Sequence, residues 1–230
     1  MEAVNEFVCI PSIASADQMH IAREIDRVRN LHRLHLDIED GNFVPNITFG
    51  MKTARQIAAY CGEAMTLDAH LFTTQPELWV EPLAACGVKR LAVHIESTRY
   101  PLDILSLIKA SGMVAGLALN FVTPVQTLEP FWERLDYILV MTAEPDGEGQ
   151  CFYAPMLRKL EQAVAMAQGR PVWADGGLDG DNIAAVARTG ATAAIVGRSV
   201  FNAADPAEAV REMEDSARRA ISKPRITKEI

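Results

Sequence analysis

Paired cysteines, long apolar runs and basic excess are all missing from this chain, and each absence excludes something. The four cysteines, Cys9, Cys61, Cys86 and Cys151, are far apart and form no C-x-x-C. They read as reduced thiols, small buried hydrophobes rather than a disulfide frame or a zinc site. No run of about 18 apolar residues occurs, so no membrane span is expected. The start, MEAVNEFVCIPS, lacks a basic n-region and carries Glu2 and Glu6, which predicts a cytoplasmic protein without a secretory leader. Bases number 22 against 30 acids, a net charge of −8. Nucleic acid is excluded as the main partner, because counterion release needs a basic face. A phosphorylated small molecule is not excluded, since it needs only a local cradle. The first apolar run is followed by Ser-Ile-Ala-Ser-Ala-Asp (12–17) without glycine, and neither G-x-G-x-x-G nor a P-loop is present. Dinucleotide and ATP binding are therefore not indicated.

What is present is an alternation. Short runs rich in Val, Ile and Leu fall at 7–12, 33–38, 66–71, 90–95, 114–119, 136–141, 171–175 and 193–197. Each is followed by a stretch of helical period, at 16–30, 50–61, 75–86, 101–111, 125–134, 153–168, 179–189 and 205–220. Gly62, Gly87, Gly112, Gly169 and Gly190 stand where helix-ending glycines belong. Eight strand-plus-helix units of about 29 residues match the (β/α)8 average. The apolar share of 49% and charged share of 23% are those of a globular protein. The expectation is an α/β fold, one (β/α)8 TIM barrel over residues 1–221, with a tail at 222–230.

In such a barrel the chemistry sits at strand C-termini. The second run gives His35 and Asp37 at i, i+2, on one face of the strand. The third gives Asp68 and His70, the fourth His94 and Glu96, and the seventh ends at Asp175. His35, Asp37, His70 and Asp175 would together make a divalent-metal site suited to Zn²⁺, Fe²⁺, Mn²⁺ or Co²⁺. His94 and Glu96 have no partner by spacing and read as structural; His20 and His32 read as surface. Two carboxylates beside a metal can remove and return a proton at a carbon next to a ketone, which inverts a stereocentre. Gly176-Gly177 after the seventh run and Gly197-Arg198-Ser199 after the eighth are placed for a phosphate. None of the six lysines falls at a strand C-terminus, which disfavours a Schiff-base aldolase. No Asp-x-Lys follows a strand, which disfavours barrel decarboxylases of nucleotide or sugar phosphates.

With PSIASAD (11–17), HLDIEDGNFVPNITFG (35–50), LDAHL (67–71), LALNFVTP (117–124), MTAEPDGEGQCF (141–152), ADGG (174–177) and VGRSVF (196–201), the chain resembles the ribulose-phosphate 3-epimerase family across about residues 8–215. The pattern of IED with EPDGxGQ and WADGG is similar to a divergent enteric branch of sugar-phosphate epimerases. The resemblance implies a ribulose-phosphate-binding type of barrel, a homo-oligomer, and a metal held at His35, Asp37, His70 and Asp175. It implies that Asp37 and Asp175 are the acid/base pair acting at C3 of a ketose phosphate. Ser12, His70, Met141, the loop Asp146, Gly147, Glu148 and Gly149, and Gly176, Gly177, Gly197 and Arg198 match its substrate contacts. The chain departs from the family pattern at Glu39 and Phe72, where methionine is usual, at the acidic loop 144–148, and at Arg198 in place of serine. The expected activity is 3-epimerisation of a ketose phosphate, by default D-ribulose 5-phosphate to D-xylulose 5-phosphate, through a metal-stabilised enediolate. Three alternatives stand beside it: another pentulose or hexulose phosphate, such as an allulose 6-phosphate type substrate; a ketose-phosphate isomerase using Glu39 or Glu144; and a barrel that binds a sugar phosphate without turnover.

Overall fold

A computed structural model describes residues 7–145 and 151–222. Eight parallel strands run in the order β1-β8-β7-β6-β5-β4-β3-β2: β1 (Val8–Pro11), β2 (Arg33–Glu39), β3 (Thr66–Phe72), β4 (Arg90–His94), β5 (Val114–Leu119), β6 (Tyr137–Met141), β7 (Val172–Asp175) and β8 (Ala193–Val196). A parallel bridge between Ser12 and His35 closes the ring between β1 and β2. The result is a (β/α)8 TIM barrel.

The helices are α1 (Ile21–Val28), α2 (Met51–Cys61), α3 (Glu77–Ala85), α4 (Pro101–Ala110), α5 (Met156–Met166), α6 (Ile183–Arg188), the one-turn α7 (Arg198–Phe201) and α8 (Pro206–Ile221). Between β5 and β6 the expected helix is instead a 3₁₀ run, Val125–Phe131, with Pro130 inside it. Proline has no N–H and its ring clashes with the carbonyl four residues back, which disfavours an α-helix there, although α3 accommodates Pro82. α8 begins on Asp205, whose carboxylate accepts from the Glu208 N–H, and buries Val210, Met213, Ala217 and Ala220 at helical spacing. Residues 223–230, most of the expected tail, lie outside the described residues. Among the described residues no helix is long and apolar enough to cross a membrane.

Strand alternation sorts the core into two layers. Leu34, Leu36 and Ile38 of β2, Leu67, Ala69 and Leu71 of β3, and Leu91 and Val93 of β4 pack in the cluster beneath the helices. Ile10, Phe72, Ala92, Ala118, Leu139, Met141 and Ile195 form a second cluster inside the ring. By the same parity His35, Asp37 and Glu39, then Asp68 and His70, then His94, face the interior. Lower in the barrel, Arg90 donates to Asp68 at 3.1 Å and lies over the Trp173 ring at 5.9 Å. The polar groups at the other end form the site. Cys9 and Cys61 are buried as expected, but Cys151 is exposed and Cys86 half-buried. They sit in a loop and at a helix end, where the barrel does not enclose them.

Candidate active site

β2 delivers His35 and Asp37, β3 delivers His70 and β7 delivers Asp175, and all four side chains meet at the C-terminal mouth. His35 Nε2 lies 3.2 Å from Asp37 Oδ1. His70 Nδ1 lies 3.0 Å from Asp175 Oδ2 and 3.5 Å from Asp37 Oδ1. One ligand atom from each residue falls within 4.8 Å of every other. The Ser12 hydroxyl donates to Asp37 Oδ2. Thr48 Oγ1 donates to the Asp37 carbonyl at 2.7 Å, and Thr142 Oγ1 donates to the Asp175 and Gly176 carbonyls at 3.0 and 2.7 Å. These two hydroxyls anchor the backbone on which the paired carboxylates ride.

The electrostatics follow from burying two carboxylates against two imidazoles. Burial works against ionisation of Asp37, but the charge and hydrogen bonds of His35 and His70 outweigh it and hold the carboxyl below its ordinary range. Burial and the charge of Asp37 push the Asp175 carboxyl up, with the imidazoles opposing. Burial disfavours the His70 imidazolium, yet bonding to both carboxylates raises it to about 9. The cluster therefore demands positive charge at its centre. A divalent cation meets that demand, and the donor set of two imidazoles and two carboxylates suits it. Separations of 3.0, 3.2 and 3.5 Å, with all four ligand atoms within 4.8 Å of one another, bring the donors to one centre. The four residues fit the metal that the resemblance implies.

A cavity of about 530 Å³ opens above this centre, lined by Ser12, Asp37 and Asp175 on one side and by Gly176, Gly177, Gly197 and Arg198 on the other. The glycines are required by close packing. A Cβ on Gly176 would sit 2.6 Å from the Ala143 backbone nitrogen, with φ at +113°. A Cβ on Gly197 would strike the Ser15 hydroxyl. His70 lies beneath the cavity rather than in its wall. So does Met141, which is buried and in register with Asp175. Asp146, Gly147, Glu148 and Gly149 lie outside the described residues; Glu144 is exposed.

Ser15 and Asn202 also line the cavity. Ser15 was open to sequence reasoning as the second serine of Ser-Ile-Ala-Ser, one 3₁₀ turn after Ser12. Asn202 carries no such signal. Glu39 is 8% exposed, inside the barrel, and accepts from the Asn46 side-chain amide. Burial, then the nearby Asp37 charge, raise its carboxyl to about 7. Phe72 packs on His70 with ring centroids 4.0 Å apart. His94 is fully buried, and its Nδ1 is 3.2 Å from Glu96 Oε2. His20 and His32 are exposed, as expected.

The model of the ribulose-phosphate 3-epimerase family matches residues 8–201. The chain belongs to that family. It is thus an isomerase of the carbohydrate-epimerase class. A ribulose-phosphate 3-epimerase of Candida glabrata is 34% identical, covering 93% of this chain and 94% of its own. The cytoplasmic isoform of Oryza sativa subsp. japonica is 35% identical, covering 93% and 95%. Among solved structures, 3-hexulose-6-phosphate synthase from Salmonella typhimurium superposes with a TM-score of 0.70 at 16% identity, covering 93% of this chain and 100% of that one. At that identity the likeness bears on the barrel alone. His35, Asp37, His70 and Asp175 come together in this member of the 3-epimerase family, with Glu39 and Phe72 buried beside them.

Proposed function

We propose that this protein is a metal-dependent 3-epimerase of a ketose phosphate, with D-ribulose 5-phosphate to D-xylulose 5-phosphate as the default reaction. The observation that carries the reading is the placement of Asp37 and Asp175. They come from different walls of the barrel, share the His70 Nδ1 at 3.5 and 3.0 Å, and line one cavity. The proton at C3 is acidified by the neighbouring ketone. One carboxylate removes it from one face, and the other carboxyl returns a proton to the opposite face. Running the reaction backwards exchanges their roles. A bound divalent ion, Zn²⁺, Fe²⁺, Mn²⁺ or Co²⁺, would supply Lewis acidity for the charge that develops on the substrate oxygens. The Ser12 hydroxyl, bonded to Asp37, keeps that carboxylate aimed. Gly176, Gly177, Gly197 and Arg198 form the phosphate end; the family resemblance assigns Asp146, Gly147, Glu148 and Gly149, outside the described residues, to substrate contact. The resemblance also supports a homo-oligomer in the cytoplasm.

A second reading concerns the substrate. Glu39, bonded by the Asn46 amide, is a buried carboxyl close enough to Asp37 to feel its charge, and this added polarity favours a substrate with a further hydroxyl, such as a hexulose 6-phosphate of the allulose type. The test is proton NMR of D-ribulose 5-phosphate with metal-loaded protein in D₂O. Deuterium at C3 with appearance of the xylulose epimer is expected. Exchange at C1 instead would make the protein a ketose-phosphate isomerase rather than an epimerase. No exchange, with metal bound, would overturn the default substrate and put a hexulose 6-phosphate next. Silence with both would leave a barrel that binds sugar phosphate without turnover.

A further inference from the structure

Three imidazoles face the interior of the mouth, and the quartet uses two of them. The third, His94, explains how one of the others is held. A metal-ligating histidine is normally fixed through its second nitrogen, which donates to a carboxylate or carbonyl. His70 turns Nδ1 toward Asp37 and Asp175, but its Nε2 is buried with no hydrogen-bond partner among the described residues. Ring packing orients it instead. Phe72 lies against it at 4.0 Å with the planes tilted by 43°, and His94 lies nearly parallel to it at 4.8 Å and 23°.

The His94 ring is itself pinned. Its Nδ1 donates to Glu96 Oε2 at 3.2 Å, and Phe43 and Phe72 each flank it at 4.9 Å. The other Glu96 oxygen accepts the Asn120 N–H at 2.9 Å and the Thr123 hydroxyl. Lys159 reaches in from α5 and donates to the carbonyls of Asn120 and Phe121. A chain of contacts thus runs from α5 through the loop after β5 to Glu96, His94 and His70.

We propose that His94 is a positioning residue whose Glu96-locked ring is the stop that keeps His70 Nδ1 aimed at the paired carboxylates. The inference rests on reading the quartet as a divalent-metal site. A residue that merely filled the core could be replaced by leucine; one that sets the tilt of His70 must be a flat ring held at a fixed angle.

The test is titration of metal-free full-length protein with Co²⁺, followed by the visible d–d bands, with Zn²⁺ competition for affinity. His94→Leu is expected to bind Co²⁺ about 10- to 100-fold more weakly, the range seen when partners behind a ligand are lost, with displaced bands. Glu96→Ala is expected to move affinity and bands in the same direction. His94→Phe, which keeps a flat ring but loses the bond to Glu96, is expected to bind like Glu96→Ala, between the wild type and His94→Leu. Wild-type affinity and bands in both His94→Leu and Glu96→Ala would overturn the inference. So would a His94→Phe variant as weak as His94→Leu, because the ring would then not be the carrier. Should His94→Leu fail to fold, Glu96→Ala, on a partly exposed loop, decides alone. Wild-type protein that takes up no Co²⁺ overturns the metal reading, and this inference with it, before any variant is compared.

Discussion

Asp37 and Asp175 carry the same functional group in unlike surroundings. Asp37 accepts from Ser12 and sits near both imidazoles, whereas Asp175 reaches His70 and is raised by burial and by the Asp37 charge. If each must give and take a proton, an amide at either position stops the cycle while nearly preserving shape. Asp175→Asn is expected to lower kcat by about 10²–10⁴-fold and to abolish transfer to one face of C3, measured as deuterium incorporation in D₂O. Full epimerase activity in that variant would sink the two-carboxylate mechanism. At this scale the sequence was informative where chemistry follows local spacing. His35 and Asp37 share a strand face by parity alone, and Asp175 announces itself before Gly-Gly. His94 was not legible in the same way. Its value lies in a stack against His70, from a neighbouring strand, and no local spacing encodes the tilt of one ring against another.

Along the elements, the eight apolar runs reappear as strands to within a residue or two, because alternation and β-branched content are local properties. The failure lay between β5 and β6, where apolar spacing suggested a helix and the chain forms a 3₁₀ run that includes Pro130. Layer packing inside the ring was also hidden. Gly116 on β5 faces Tyr137 on β6 so closely that a Cβ would meet Cε2 at 2.8 Å and other ring atoms more closely still. Tyr137 is 2% exposed and packs on Trp173 with centroids 4.8 Å apart, so it has little room to retreat. Gly116→Ala should therefore destabilise by about 1–3 kcal/mol through overpacking. For a chain of this size that is a fall in Tm of about 2–12 °C, measured by thermal unfolding. An unchanged Tm would mean that the interior layer repacks freely, against the jigsaw fit seen here.

For the molecule as a whole, the centre concentrates like charge. A chain already at −8 gathers Asp37, Asp175 and Glu39 within one buried mouth, where low polarity strengthens their repulsion. Folding brings these groups together; the raised carboxyls of Asp175 and Glu39 oppose it, whereas Asp37, held low by His35 and His70, does not. His70, raised to about 9, supplies positive charge, and a divalent ion bound by the quartet would supply more. An unfolded chain holds the four ligands far apart, so the ion favours the folded state and must raise its stability. At a free concentration of about 100 Kd the gain is about 2.7 kcal/mol, or about 5–11 °C in Tm for this size. Dialysis against a chelator is expected to lower Tm by that order, and Zn²⁺, Mn²⁺, Co²⁺ or Fe²⁺ to restore it. The shift should disappear in His35→Ala/His70→Ala, which tests the site rather than loose binding to surface acids or to Cys151. A Tm indifferent to chelator and metal in the intact protein would remove the case for the metal centre, because an ion that binds the folded quartet and not the unfolded chain must stabilise the fold.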